Sequence, residues 1–236
     1  MRLAPVLLAA ACAATRAPAP VPADYDEAIP GTVVSFRMVA VPEARIWLGR
    51  TEVTWEEFEA WYLSEEEEGE VDAVARPSPF YFPHDRGWGA GRRPAVGISR
   101  HAAERYCAWL SRRTNRAYRL PTEAEWAMAC EGSEPGWTRE TAGGRTHETG
   151  SRPPNPLGLC DMLGNVWEYC SNDWDVDDPR PVMRGGSWDD PAASVSCGSR
   201  RPLPEEWNES DPQRPKSVWW LADGPYVGFR LARDWR

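Results

Sequence analysis

Hydrophobic positions change their period several times along this chain. Residues 3–14, mostly Leu and Ala behind Arg2, form one apolar stretch, and residues 15–29 then run through Pro and Ala without a repeat. Residues 32–48 alternate loosely and carry β-branched side chains, which predicts two short strands around Pro42. Residues 51–63 put Phe58, Trp61 and Tyr62 on one helical face, with Thr54 as N-cap and Glu57 three positions on as a capping-box signature. The Glu run at 65–68 reads as a solvated helix end, and residues 76–94 are irregular and rich in Pro and Gly. The clearest helix spans 99–114: Ser99 caps it, and Ala103, Tyr106, Cys107 and Leu110 form its apolar stripe. A third, shorter helix is predicted within 120–130. From Glu131 onward the pattern gives turns, isolated aromatics and short strands, without a helix or an internal repeat.

The first segment has the form of a leader. A positive residue, an apolar run of about a dozen residues and small residues after it make the signal-peptide pattern over 1–17. Cys12 follows Ala9-Ala10-Ala11 and resembles a bacterial lipoprotein processing site, with Leu8 one place earlier than usual. Two readings stand: lipidation at Cys12, or ordinary cleavage near Ala14 or Ala17 with Cys12 discarded. Residues 18–30 read as an extended Pro/Ala tether, and 31–236 as one folded domain outside the cytoplasm. The expected location is the periplasm, or the outer membrane or cell surface as a lipoprotein anchored through Cys12.

Composition narrows the class. Fourteen Trp exclude a disordered chain, and 23 Pro with 19 Gly exclude a coiled coil or helical bundle. Lys and Arg number 27 against 36 Asp and Glu, a net charge of -9 with no basic block, which argues against a nucleic-acid partner. Mean hydropathy is -0.60, and no apolar run approaches about 18 residues, so no transmembrane span is expected. Past Cys12 the cysteines are Cys107, Cys130, Cys160, Cys170 and Cys197, an odd number with no CxxC, so at least one thiol lacks a partner within the chain.

Five segments then fall in one order: Glu52-Val53-Thr54 with its aromatic helix; Arg119-Leu120-Pro121-Thr122-Glu123-Ala124-Glu125-Trp126; Gly158-Leu159-Cys160-Asp161-Met162-Leu163-Gly164-Asn165-Val166-Trp167-Glu168; Arg184-Gly185-Gly186-Ser187-Trp188; and Gly228-Phe229-Arg230-Leu231-Ala232. Together they resemble the formylglycine-generating enzyme (sulfatase-modifying factor) family, over residues 31–233. The resemblance implies an α+β domain with a modified C-type-lectin-like fold, low in regular secondary structure. Without the family, Gly185-Gly186 reads as a tight turn or bulge, and Trp126, Trp167, Trp188 and Phe229 read as core-filling side chains.

Asp161, Gly164, Val166 and Glu168 offer two carboxylates and two main-chain carbonyls within eight residues, a donor set that suits Ca²⁺. In the resembling family these four positions hold a structural calcium. The alternative is that both acids cap turns or lie at the surface. The family's other calcium site has no evident ligands here, since residues 131–152 are short.

The family's chemistry depends on a cysteine pair after the Gly-Gly-Ser motif, which binds copper(I) through thiolates and oxidises a substrate cysteine. Counting from Trp188, those positions fall at Asp190 and near Val195, so copper is not expected. Trp167, Ser187 and Asp190 remain as pocket candidates. Asp189-Asp190 reads either as a site for another metal or a cationic ligand, or as a solvated turn. The resemblance also implies a Cys130–Cys197 disulfide and leaves Cys107 as a buried thiol. Cys160 and Cys170 flank the calcium motif, and whether they pair stays open. His84, His101 and His147 share no ligand spacing, and no G-x-S-x-G motif occurs. The Arg-rich run from Arg112 to Arg119 fits the C-terminal end of a helix.

Three functions remain in order. The first is a non-catalytic binding or scaffolding protein of the cell envelope, with a protein or small-molecule ligand. The second is a divergent metal- or oxygen-dependent oxidoreductase. The third is sulfatase activation itself. The stretch 189–226, with Trp207, Trp219 and Trp220, is where a variable binding surface would sit; those Trp read either as exposed contacts or as core.

Overall fold

The computed structural model describes residues 20–64 and 83–235. Cys12, the leader and the acidic run at 65–68 lie outside the described residues.

Strands β1 (Tyr25–Ala28), β2 (Ser35–Val41), β3 (Ile46–Gly49) and β8 (Ala232–Asp234) form an antiparallel sheet in the order β1-β2-β3-β8. The β2–β3 pair turns at Pro42, whose ring forbids a continuing ladder bond. The expected tether is corrected here: the chain joins the sheet at Tyr25, ahead of residue 31. Charge and packing drive this. The Glu27 carboxylate accepts hydrogen bonds from Tyr118 Oη (2.5 Å) and Arg116 Nη1 (2.9 Å), and Ile29 is fully buried. Trp47 donates its indole N–H to the Ala23 carbonyl, 3.0 Å, and meets Tyr25 edge-on.

Three helices precede the second sheet: α1 (Trp55–Tyr62), α2 (Arg100–Thr114) and α3 (Glu123–Cys130). Thr54 caps α1 by accepting the Glu57 N–H, and its hydroxyl donates to Glu57 Oε1, 2.9 Å. Ser99 caps α2, and Asn115 ends it in the left-handed region. A complete capping box starts α3: Thr122 Oγ1 accepts from the Glu125 N–H while Glu125 Oε2 accepts from the Thr122 N–H. Arg119 then bridges Glu125 and Asp234, tying α3 to β8.

Strands β4 (Trp167–Asp175), β5 (Asp178–Arg184), β6 (Arg200–Pro202) and β7 (Val227–Gly228) form the second sheet, in the order β6-β5-β4-β7, with β4 and β7 parallel. Beyond Glu131 the described residues hold no α-helix, and single 3₁₀ turns occur at Ala192–Ser194 and Glu205–Asn208.

Aromatic packing replaces long regular elements. Phe58 touches Trp61, Tyr106, Trp220 and Phe229 at ring-centroid distances of 5.1–6.4 Å. Trp126, Cys130, Leu159, Leu163 and Val182 fill a second cluster between α3 and the second sheet. Trp207, Trp219 and Trp220 are all buried, so they serve the core. Cys130 and Cys197 are joined in a disulfide with Cα atoms 5.7 Å apart. Cys107, Cys160 and Cys170 are separate buried thiols, so no Cys160–Cys170 bridge forms. Among the described residues no helix is long and apolar enough to cross a membrane.

Candidate functional site

Two neighbouring features gather the chemistry, and the turn after β5 shapes both. Gly185 has φ +97, and a Cβ there would lie 2.8 Å from the Met162 carbonyl oxygen, so the turn passes only without a side chain. It delivers Ser187 and Trp188 beside the start of β4.

The first feature is a cavity of about 280 Å³ lined by Arg139, Trp167, Ser187, Asp189, Asp190, Arg201, Trp207 and Tyr226. Asp190 Oδ2 accepts three hydrogen bonds: from Trp167 Nε1 (2.8 Å), the Ser187 N–H (2.9 Å) and Ser187 Oγ (2.6 Å). The three expected pocket residues therefore form one unit. Asp190 is only partly exposed and its Oδ2 is taken up by these three bonds, so the solvated-turn reading is corrected for this residue. Asp189 instead is half-exposed at the cavity's edge and pairs with Arg139, 3.7 Å away. The Arg201 guanidinium lies 5.7 Å from the Trp167 ring and 5.1 Å from the Trp207 ring. Trp188 donates to the Pro225 carbonyl and stacks on Tyr226 at 5.1 Å, which holds the far wall. Among the described residues no cysteine lines this cavity, and Cys197 is held in its disulfide.

The second feature is a buried ionic cluster around the 161–168 turn. Asp161 and Asn165 have left-handed φ values of 54 and 56, and Gly164 packs so closely on the Trp137 backbone that a Cβ would collide with it. Glu168, at the start of β4, forms a fork with Arg230: Nε to Oε2 and Nη2 to Oε1, both 2.6 Å, with both side chains fully buried. Trp126 Nε1 adds a third bond to Glu168 Oε2, 2.7 Å. Arg230 also donates to the carbonyls of Gly49 and Cys160, each 3.0 Å. Burial works against the Arg230 charge, but Glu168 overcomes it and holds the guanidinium above its ordinary range.

Two further acids share this space. Glu52, in the link between β3 and α1, is fully buried, and its Oε1 accepts from Asn165 Nδ2, 2.9 Å. Asp161 is 7 % exposed, and its Oδ2 accepts from the Gly150 N–H, 2.6 Å. Burial, then the nearby Asp161 charge, pushes the Glu52 carboxyl well above the usual range. Burial likewise raises Asp161, to about 6. Glu52 Oε2 and Asp161 Oδ1 have no hydrogen-bond partner. Among the described residues no group of three or more His, Cys, Asp or Glu side chains is arranged to hold a metal alone. A cation here would need main-chain carbonyls as well, which suits calcium more than a transition metal. Asp161 fits that requirement with a free oxygen, whereas both oxygens of Glu168 already accept bonds.

Sequence reasoning placed Trp167, Ser187, Asp190, Asp161, Gly164, Val166 and Glu168 within these features. It missed Arg139, Arg201 and Tyr226 in the cavity wall, because they come from three separated segments with no spacing signal. It also missed the roles of Glu52 and Arg230, although both lie in motif segments. Their meeting depends on the Val53 N–H pairing with the Phe229 carbonyl, 2.8 Å.

The two sheets and the loop-rich connections define a C-type-lectin-like domain. By structure the chain is similar to Treponema denticola variable protein 1 (TM-score 0.62, 22% identity, covering 90% of this chain and 99% of that one). It is also similar to PvdO from Pseudomonas aeruginosa (TM-score 0.60, 23% identity, 80% of each chain). The family model of the sulfatase-modifying factor enzyme 1-like domain matches residues 35–235, and the chain belongs to that family. Relatives include the inactive Cα-formylglycine-generating enzyme 2 of Bos taurus, 34% identical over 42% of this chain and 40% of that protein. The formylglycine-generating enzyme of Thermomonospora curvata is 33% identical over 60% of this chain and 55% of its own. The matches span from 22% to 55% of the length of the curated relatives.

Proposed function

We propose that this chain is an exported, non-catalytic binding or scaffolding member of its family that acts at the cell envelope. One observation carries the reading. Asp190 stands where the family's first copper-binding thiol is expected, and its Oδ2 is closed by three donors from Ser187 and Trp167. A hard, hydrogen-bonded carboxylate does not replace a soft thiolate pair for copper(I). The names of two relatives, from Bos taurus and Mus musculus, describe them as inactive, which supports the same direction. The cavity presents mainly polar groups, from Arg139, Ser187, Asp189, Asp190 and Arg201, over a largely buried aromatic floor, a surface for a small polar ligand or a polar side chain of a protein partner.

The apolar run at residues 3–14 supports export, and Cys12 supports lipid anchoring in the periplasm or at the outer membrane or cell surface. A structural Ca²⁺ at the 161–168 turn completes the proposal: bound there, it would neutralise the acids and rigidify the turn that carries Trp167. The second reading, a divergent oxidoreductase, draws on the Asp189-Asp190 pair in the cavity wall.

Native mass spectrometry with elemental analysis, joined to a copper-supplemented assay on a cysteine-containing sulfatase peptide, separates these readings. The expected result is calcium, no stoichiometric copper or iron, and no conversion of cysteine to formylglycine. Near-stoichiometric copper or iron with oxidation of the peptide would overturn the non-catalytic reading.

A further inference from the structure

Three acids and one base share a buried space beside the 161–168 turn. Glu168 and Arg230 form a closed pair, completed by Trp126. Glu52 and Asp161 are left as two carboxylates against no further buried base. Each has one oxygen anchored, Glu52 Oε1 by Asn165 and Asp161 Oδ2 by Gly150. Each has one oxygen with no partner, Glu52 Oε2 and Asp161 Oδ1. A buried carboxylate oxygen without a hydrogen-bond partner is unfavourable, so such atoms mark a missing partner.

The anchoring also has a direction. Asn165, which holds Glu52, lies between Gly164 and Val166, the two residues whose carbonyls the calcium motif uses. Asp161 lines a second cavity of about 260 Å³ between loops 132–136 and 152–155, which gives an ion a route from solvent. Two carboxylate oxygens next to a carbonyl-bearing turn form a hard, anionic donor set.

We infer that the side-chain ligands of a divalent cation here are Asp161 and Glu52, and that Glu168 is a positioning residue acting through Arg230. The inference rests on the calcium reading above but changes its ligand set: Glu52 comes from a segment outside the motif. A proton shared between Glu52 and Asp161 is the competing arrangement. It predicts no dependence on the cation.

The test uses the full chain, stripped with a chelator, dialysed and titrated with CaCl₂ by calorimetry, with thermal unfolding in calcium and in chelator. Wild type binds one Ca²⁺ and unfolds at a higher temperature with it. Glu52→Gln and Asp161→Asn each weaken binding by about 100-fold or more, since loss of a direct ligand exceeds the 10–100-fold typical of residues behind a ligand. In chelator both variants are at least as stable as wild type, because each keeps the anchored acceptor oxygen and can no longer ionise in the buried site. Glu168→Gln lowers stability in chelator as well as in calcium and weakens binding less than Glu52→Gln does, within the roughly 10–100-fold typical of residues behind a ligand. If Glu52→Gln binds calcium like wild type, Glu52 is not a ligand, while the calcium reading stands. If Glu168→Gln remains folded and loses binding by more than Glu52→Gln, the motif's own ligand set is restored and the inference fails. If wild type neither binds nor is stabilised by calcium, the calcium reading and the inference fall together.

Discussion

Replacing Glu57 with Gln should stabilise the protein at alkaline pH and leave it nearly unchanged in acid. Glu57 lies in the first turn of α1 with its carboxyl buried, and it accepts one hydrogen bond from the Thr54 hydroxyl. Burial, resisted by the Thr54 bonds and added to by the neighbouring Glu56 charge, raises it from 4.5 to about 7. A folded-state value above the unfolded one means that the folded protein holds this proton more tightly. The associated stability is present below about pH 4.5 and is lost as pH rises towards 7. A rise of that size corresponds to about 3 kcal/mol. Gln keeps the acceptor for Thr54 and never ionises, so Glu57→Gln should gain about 3 kcal/mol over wild type at about pH 8 and only about 0.8 kcal/mol at about pH 5. For a domain of this length that is roughly 6–10 °C in Tm. Urea denaturation of both proteins at the two pH values measures the difference directly and cancels every other titrating group. A gain that is the same at both pH values, or a Gln variant less stable than wild type at pH 8, would refute the argument.

Two further predictions concern the frame of the site. Converting both Cys130 and Cys197 to Ala opens a bridge across 67 positions and should cost about 4 kcal/mol, read by denaturant midpoints with and without reductant; the double variant should be insensitive to reductant. Gly185→Ala places a methyl 2.8 Å from the Met162 carbonyl oxygen and 3.0 Å from the Trp126 ring at positive φ. It should cost roughly 2–4 kcal/mol and alter tryptophan fluorescence, and a variant with wild-type unfolding would contradict the close approach.

Local signals were legible wherever one segment carried its own cause. Thr54 and Ser99 announced two helix starts because an N-cap needs only a side-chain oxygen and the next turn's N–H groups, whereas the Thr122 cap of α3 was recognised only in the structure. The strands around Pro42 followed from alternation and from the missing proline donor. Gly185 marked a turn because only glycine passes there. Tyr25–Ala28 was hidden inside a polar, proline-flanked stretch, since what makes it a strand is the distant pair Tyr118 and Arg116 holding Glu27. The Asp189-Asp190 pair was equally ambiguous: only the approach of Trp167 separated a hydrogen-bonded Asp190 from an Asp189 paired with Arg139 at the cavity's edge.

Sequence order was enough to identify the family, the starts of α1 and α2 and the residues of the 161–168 turn, because those depend on contacts a few positions apart. Tertiary structure alone decided that Glu52, 116 positions before Glu168, would share one buried space with it and Arg230. It alone left bare oxygens on Glu52 and Asp161 rather than on Glu168. Charge in a dry interior is set by whichever groups the fold brings within hydrogen-bond reach, and no local spacing records which oxygen the arginine will take.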